Sequence, residues 1–243
     1  MVNGNWAAAF MGRIQTAYEF KFRVLLQGVN ARRLEAGIQH LSAEAEQRHR
    51  RDNLPMAKAL ADVCGDARRK IERWLRRKGR SPGTLFPVPT TVRFLCDGGL
   101  GGLARWLRAA GYEADWQADM EDSALLAEAR RLGALVITTD SMLMERRLIR
   151  QRVILALWVP PALGIQQQLS FVLDELALPL QAPRCMTCGG PLQVVDKETV
   201  RDRIPPRTWR WLNEYFLCAR CGRLFWHGTH WERIRARLQN LPK

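Results

Sequence analysis

Two closely spaced cysteine pairs constrain this chain more than any other feature of its sequence. The pairs are Cys185-x-x-Cys188 and Cys218-x-x-Cys221, and a glycine follows each pair directly. Four thiolates in two such clips supply the ligands of a tetrahedral Zn²⁺ ion, and glycine allows the positive φ that turns backbone N–H groups towards the sulfurs. We therefore expect a structural zinc site in the C-terminal part of the chain. Two disulfides or a redox dithiol are the alternative.

The N-terminal residues favour the metal over the disulfides. The short apolar run Trp6–Phe10 is followed by Arg13 and is not a sustained secretory segment. We therefore expect a cytoplasmic chain, whose thiols stay reduced, so that metal binding is the better use of four paired cysteines. No window approaches 18 uninterrupted apolar residues, so the sequence predicts no membrane span.

The positive charge of the chain is concentrated at its two ends. The formal net charge is +14, with 17 basic against 8 acidic residues in 1–90, 9 against 11 in 91–182, and 12 against 5 in 183–243. This segregation favours a polyanion held by the basic ends while the acidic middle uses its carboxylates. Solvated helix surfaces are the alternative for part of the excess.

Periodicity divides the chain into three parts and a linker. Residues 1–80 read as basic helices, predicted over 5–27, over 31–51 and from Pro55 onward. Prolines and Gly83 mark a linker at 81–90. Residues 91–182 alternate short β-rich runs with helical segments, which predicts an α/β domain with a mainly parallel sheet. Its strands are predicted over 91–96, 112–116, 134–138 and 153–159, and one of its helices over 141–150. Residues 183–243 contain the cysteine pairs and end in a predicted helix.

Acidic residues follow the predicted strands of the middle part. Asp97 ends the first strand and Asp140 the third, and Asp119 and Asp122 follow the second. Parallel strands place their carboxyl ends on one edge of the sheet, where carboxylates that gather need a cation. Mg²⁺ or Mn²⁺ suits such oxygen ligands and can activate water towards a phosphodiester. Helix N-capping is the alternative for each of Asp97, Asp122 and Asp140.

The same runs resemble a known family. The opening run FLCDGGLGGLARWLRAAGY, residues 94–112, is similar to the first motif of the Mut-seven C-terminal RNase domain, a PIN-like nuclease family. The runs DMEDSALL at 119–126 and VITTD at 136–140 resemble its further acidic motifs. The cysteine pairs and the run WHGTHW at 226–231 resemble its zinc ribbon, so the resemblance spans about residues 92–236.

The resemblance implies a PIN-like three-layer domain over 91–182, a zinc ribbon with a C-terminal helix over 183–243, and metal-dependent cleavage of RNA. The implied catalytic carboxylates are those of Asp97, Asp119, Asp122 and Asp140. The chain departs from the family at Thr139, where a basic residue is usual, and at Gly98 and Gly99, where bulkier residues are usual. Residues 1–80 have no counterpart in the resemblance.

Two readings of function follow from these observations. The first is a Mg²⁺- or Mn²⁺-dependent ribonuclease, in which Arg105 and Arg108 steady the RNA strand unless they are surface arginines of an amphipathic helix. The second is a non-catalytic zinc-ribbon protein that binds RNA or a ribonucleoprotein and has a vestigial nuclease site. The basic helices suit RNA or a ribonucleoprotein partner in both. A toxin of a toxin–antitoxin pair would share the nuclease chemistry.

Overall fold

The structure is a computed structural model that describes residues 14–15, 18–19, 21–80, 92–176 and 178–242. Contacts divide the chain into two compact units, Met1–Thr90 with Asp140–Arg150, and Thr91–Thr139 with Gln151–Lys243. The predicted linker 81–90 lies outside the described residues, as does much of the predicted helix 5–27, whose described positions are helical. The domain boundaries proposed from the sequence stay predictions.

The helices and strands follow one another in an order close to the predicted one. In chain order they are α1 (Leu34–Asp52), α2 (Met56–Arg77), β1 (Arg93–Cys96), a 3₁₀ turn (Gly98–Leu100), α3 (Gly101–Ala109), β2 (Glu113–Trp116), α4 (Asp122–Leu132), β3 (Leu135–Thr138), α5 (Ser141–Met144), α6 (Arg147–Arg150), β4 (Ala156–Trp158), α7 (Ile165–Glu175), β5 (Leu192–Val195), a second 3₁₀ turn (Glu198–Arg203), α8 (Pro206–Trp211), β6 (Tyr215–Cys218), β7 (Leu224–Trp226) and α9 (Thr229–Gln239).

The described residues of the first unit are mainly helical, as the sequence predicted. Helices α1 and α2 pack against each other, and Leu25, Ala67 and Leu75 form a buried cluster. The single helix predicted over 141–150 is wrong, because α5 and α6 are two separate short helices. The buried side chains Met144 and Ile149 are five positions apart, a spacing that one continuous helix would not place on the same face.

The second unit contains a four-stranded parallel sheet with the strand order β2-β1-β3-β4. Helices α3 and α4 contact its strands, and every residue of β3 is buried. This arrangement confirms the predicted β-α units with parallel strands. Strand β4 is shorter than the predicted 153–159, since Ala156–Trp158 are the residues in register with β3 and Val153 is exposed.

The C-terminal part of the second unit is a three-stranded antiparallel sheet with the order β5-β6-β7. Its small core contains Val200, Ile204 and Tyr215, with Trp209 and Trp226 packed against them. The mixed α/β class is therefore confirmed, and the PIN-like three-layer arrangement stays a prediction. In the part of the chain that the structure describes, no helix combines the length and apolarity needed to cross a membrane.

Candidate functional site

The four cysteines of the two predicted clips form one cluster. Their Sγ atoms all lie within 4.8 Å of one another, with 3.7 Å between Cys185 and Cys221 and 3.5 Å between Cys188 and Cys218. A tetrahedral zinc ion with Zn–S bonds of about 2.3 Å has sulfur–sulfur edges of about 3.8 Å, whereas a disulfide bond is about 2.05 Å long. The cluster therefore fits a metal ion such as zinc, and its cysteines are free thiols.

The backbone of the two clips has the turns that the sequence predicted. Gly189 and Gly222 have φ values of +74° and +66°. A Cβ atom added at Gly190 would lie 2.8 Å from the Sγ of Cys218, so a side chain does not fit there. Burial raises the pKa of the Cys185 and Cys188 thiols, whereas at Cys218 burial is outweighed by hydrogen bonds from backbone N–H groups and neighbouring thiols, which lower its pKa to about 7. The glycine turns and the Cys218 thiol suit a metal held through thiolates, and a bound ion would deprotonate the other thiols.

A buried arginine connects the first clip to the parallel sheet. Arg108 in α3 is only 7% exposed, and its Nε donates to the carbonyl of Ala114 in β2 at 2.7 Å. Its Nη1 donates to the carbonyls of Met186 and Thr187, between the first two cysteines, at 3.1 and 2.8 Å. The guanidinium is thus occupied inside the protein, which corrects the expectation that Arg108 contacts substrate. Arg105 is exposed, and its contact with the RNA strand stays a prediction.

An ion-pair network around Glu113 also connects β2 to the cysteine clips. Nη2 of Arg220 donates to Glu113 at 2.5 Å, and Nη1 donates to the carbonyl of Cys188 at 2.8 Å. Arg93 and Arg184 each lie 3.6 Å from the Glu113 carboxylate. Burial raises the pKa of Glu113, but the hydrogen bond from Arg220 and the other two charges outweigh burial and lower it. Glu113 is therefore held as a carboxylate between the sheet and the clips.

Asp97 lies directly after the inner strand β1. Its Oδ1 accepts the N–H of Gly98 at 2.6 Å and thereby caps the 3₁₀ turn. Its Oδ2 accepts the hydroxyl of Thr138, the fully buried last residue of β3, at 2.7 Å. The capping alternative therefore describes this residue correctly. It does not exclude a metal, because each carboxylate oxygen has a further lone pair.

The acids that follow β2 approach the turn after Asp97. A Cβ atom added at Gly98 would lie 3.5 Å from the backbone nitrogen of Asp119, so this loop rests against that turn. Asp119 is exposed and has a φ of +54°. Asp122 is half-buried and is the first residue of α4, whose N-cap is Glu121. The capping alternative for Asp122 is therefore wrong, although its charge favours the helix N-terminus.

Asp140 caps α5 by accepting the N–H of Met142 at 2.7 Å, as its capping alternative predicted. It belongs to the first unit, whereas Asp97, Asp119 and Asp122 belong to the second. Among the described residues, the cysteine cluster is the one group of three or more His, Cys, Asp or Glu side chains close enough to share an ion. The catalytic and metal-binding roles of the four aspartates stay predictions.

Comparison with known protein families agrees with this architecture. The sequence profile described as the Mut7-C RNAse domain matches residues 92–238, which is more than half of the chain. The chain belongs to the Mut7-C RNAse domain family. This membership confirms the resemblance found in the motif runs, and an RNase domain implies RNA as the substrate class. No curated protein and no solved structure matches the chain.

Within the matched family region, the structure adds residues that sequence reasoning missed. Thr138 hydrogen-bonds Asp97, and Trp116 contacts the turn after Asp97 through its indole. Both end predicted strands, a position that could have pointed to them. The pairing of Glu113 with Arg220 has no comparable signal, because 107 residues separate the two in the chain.

Proposed function

We propose that this chain is a metal-dependent ribonuclease that hydrolyses RNA phosphodiester bonds in a PIN-like domain. The proposed catalytic carboxylates are those of Asp97, Asp119, Asp122 and Asp140. The observation that carries the proposal is the position of Asp97 at the carboxyl end of β1, against the loop of Asp119, in a chain of an RNase family. Ligand sites of parallel sheets form at this end of the strands.

The residues around Asp97 support this role chemically. Mg²⁺ or Mn²⁺ held by such oxygens would polarise a phosphodiester and lower the pKa of a water molecule. The donors from Gly98 and Thr138 fix both oxygens of Asp97, so the carboxylate has one defined orientation. Arg105 is exposed on α3 and can contact a phosphate of the strand. The cysteine cluster would hold a structural zinc ion.

The test is RNA cleavage with and without Mn²⁺, measured for the wild type and for Asp97→Asn and Asp140→Asn. We expect metal-dependent cleavage by the wild type and a loss of about 100-fold or more in each variant, because a missing charge weakens both the ion and its activated water. Glu128→Gln is the matched control. It removes an equal charge further along α4, from an exposed ion pair with Arg131, and should leave the rate unchanged.

Wild-type rates in both aspartate variants would reject the site assignment. Binding of RNA without any metal-dependent cleavage by the wild type would instead favour the second reading, a non-catalytic zinc-ribbon protein that binds RNA or a ribonucleoprotein. Thr139, Gly98 and Gly99, which depart from the family pattern, are the sequence observations that support that reading.

A further inference from the structure

An exposed tryptophan lies near Asp97 and has no role in the proposed RNA cleavage. Trp116 is the last residue of β2, and its register partner is Cys96, the residue that precedes Asp97. It remains 40% exposed, although burial of a large aromatic ring is favourable in a folded protein. Trp116 therefore ends at the same edge of the sheet as the proposed catalytic carboxylate.

The glycine-rich turn after Asp97 holds this indole in place. Nε1 of Trp116 donates to the carbonyl of Gly98 at 2.8 Å. A Cβ atom added at Gly101 would lie 2.7 Å from Cε2 of the ring, so the indole rests directly against the backbone there. A side chain at Gly101 would displace the ring. The ring is thus oriented before any ligand arrives, which reduces the entropy cost of binding.

We propose that Trp116 is a stacking subsite for a nucleobase of single-stranded RNA next to Asp97. The inference rests on the proposed function, since it places the base beside the scissile phosphate. The carboxylates of Asp97, Asp119 and Asp122 repel phosphates where no cation is bound, so a neutral aromatic surface can anchor RNA at this edge in addition to the phosphate contact proposed for Arg105. Every base has a π-face that stacks on an aromatic ring, so the subsite accepts all four bases.

The first test is steady-state cleavage of a single-stranded RNA oligonucleotide in Mn²⁺. Trp116→Ala should raise KM about tenfold, as expected for the loss of one stacked base, while kcat stays within about twofold. Trp116→Phe keeps an aromatic ring and should retain most of the affinity. Trp211→Ala is the matched control, because Trp211 in α8 is 79% exposed and has no part in the proposed RNA contacts, so KM should stay unchanged.

The second test measures RNA affinity by fluorescence anisotropy in buffer without added Mg²⁺ or Mn²⁺ and without a chelator, so that metal-dependent cleavage does not proceed and the cysteine cluster keeps its zinc. Trp116→Ala should weaken binding of ordinary RNA about tenfold and leave binding of an RNA with abasic nucleotides unchanged. If Trp116→Ala fails to fold, Trp116→Leu fills the space over Gly101 without a π-face and should show the same loss. This comparison separates base stacking from support of the turn.

The outcomes separate this inference from the proposed function. If the wild type does not cleave RNA but Trp116→Ala still loses affinity for base-containing RNA, the nuclease assignment fails and the stacking subsite stands. If folded Trp116→Ala or Trp116→Leu binds ordinary RNA as tightly as the wild type, the subsite is rejected, and the exposed indole is left as a contact for another macromolecule.

Discussion

Single residues of this chain have roles that follow from their burial rather than from their type. Arg105 and Arg108 are one helical turn apart in α3 and look equivalent in the sequence. One is exposed, and the other is buried with three carbonyl partners contributed by β2 and the first clip. We therefore expect removal of these two chemically identical side chains to lower the free energy of unfolding by different amounts.

We predict that Arg108→Met destabilises the second unit, because the buried carbonyl of Ala114 and the less buried carbonyls of Met186 and Thr187 lose their donor. We expect a cost of about 3 kcal/mol, or a fall in melting temperature of roughly 5–10 °C. Arg105→Met, the matched control on the same helix, should shift the melting temperature by no more than about 2 °C. Thermal unfolding followed by circular dichroism checks both, and an equal shift in the two variants would contradict the structural role of Arg108.

At the scale of elements, the clips and the edge strand β2 form one connected structure. Arg220 donates both to Glu113 in β2 and to the carbonyl of Cys188 in the first clip. Arg184 donates through Nε to the carbonyl of Gly189 at 2.6 Å and lies 3.6 Å from the same Glu113. A small metal-held domain loses much of its order without its ion, so the disturbance should reach β2.

We predict that Cys188→Ser releases zinc, loosens the ribbon and also speeds amide hydrogen exchange in Glu113–Trp116, by about tenfold or more. Metal analysis and hydrogen-exchange mass spectrometry measure the two effects. Cys64→Ser, which alters a thiol outside the cluster, should keep the zinc and the exchange rates. Release of zinc with unchanged exchange in β2 would show that the arginine contacts do not couple the clips to the sheet. Absence of zinc from wild-type protein purified under reducing conditions would reject the zinc assignment itself.

At the scale of the whole molecule, we predict that the basic N-terminal helices supply RNA affinity. The cations near the C-terminal end of α2 fall into two groups. Arg68 bonds Glu72 at 2.9 Å and Arg69 bonds Asp66 at 2.5 Å, so these two are compensated within the helix. The four exposed cations of the second group have no ion pair among the described residues: Lys70, Arg73, Arg76 and Arg77.

We predict that replacing these four uncompensated cations with glutamine weakens RNA binding and lowers its salt dependence, by about 0.7 of a logarithmic slope for each RNA phosphate that the variant no longer neutralises. Cleavage at saturating RNA should stay nearly unchanged. The double variant Arg68→Gln and Arg69→Gln is the control and should have a smaller effect on the slope. An unchanged affinity and slope in the fourfold variant would favour a protein-docking role for this surface.

Local patterns in the sequence were sufficient for much of this protein. The spacing of the cysteines predicted the cluster, and the alternation of β-rich and helical runs predicted the parallel strands and the order of the helices. The motif runs predicted the family. These features depend on residues close together in the chain, where periodicity, turn chemistry and ligand spacing act directly.

Tertiary structure alone decided the rest. The burial of Arg108, the pairing of Arg220 with Glu113 and the contact of Trp116 with Gly101 join residues far apart in the chain or on neighbouring elements. The break between α5 and α6, and the grouping of Asp140 with the first unit, likewise depend on what each side chain packs against. A sequence pattern shows which side chains need a partner, and only the folded chain determines which partner is within reach.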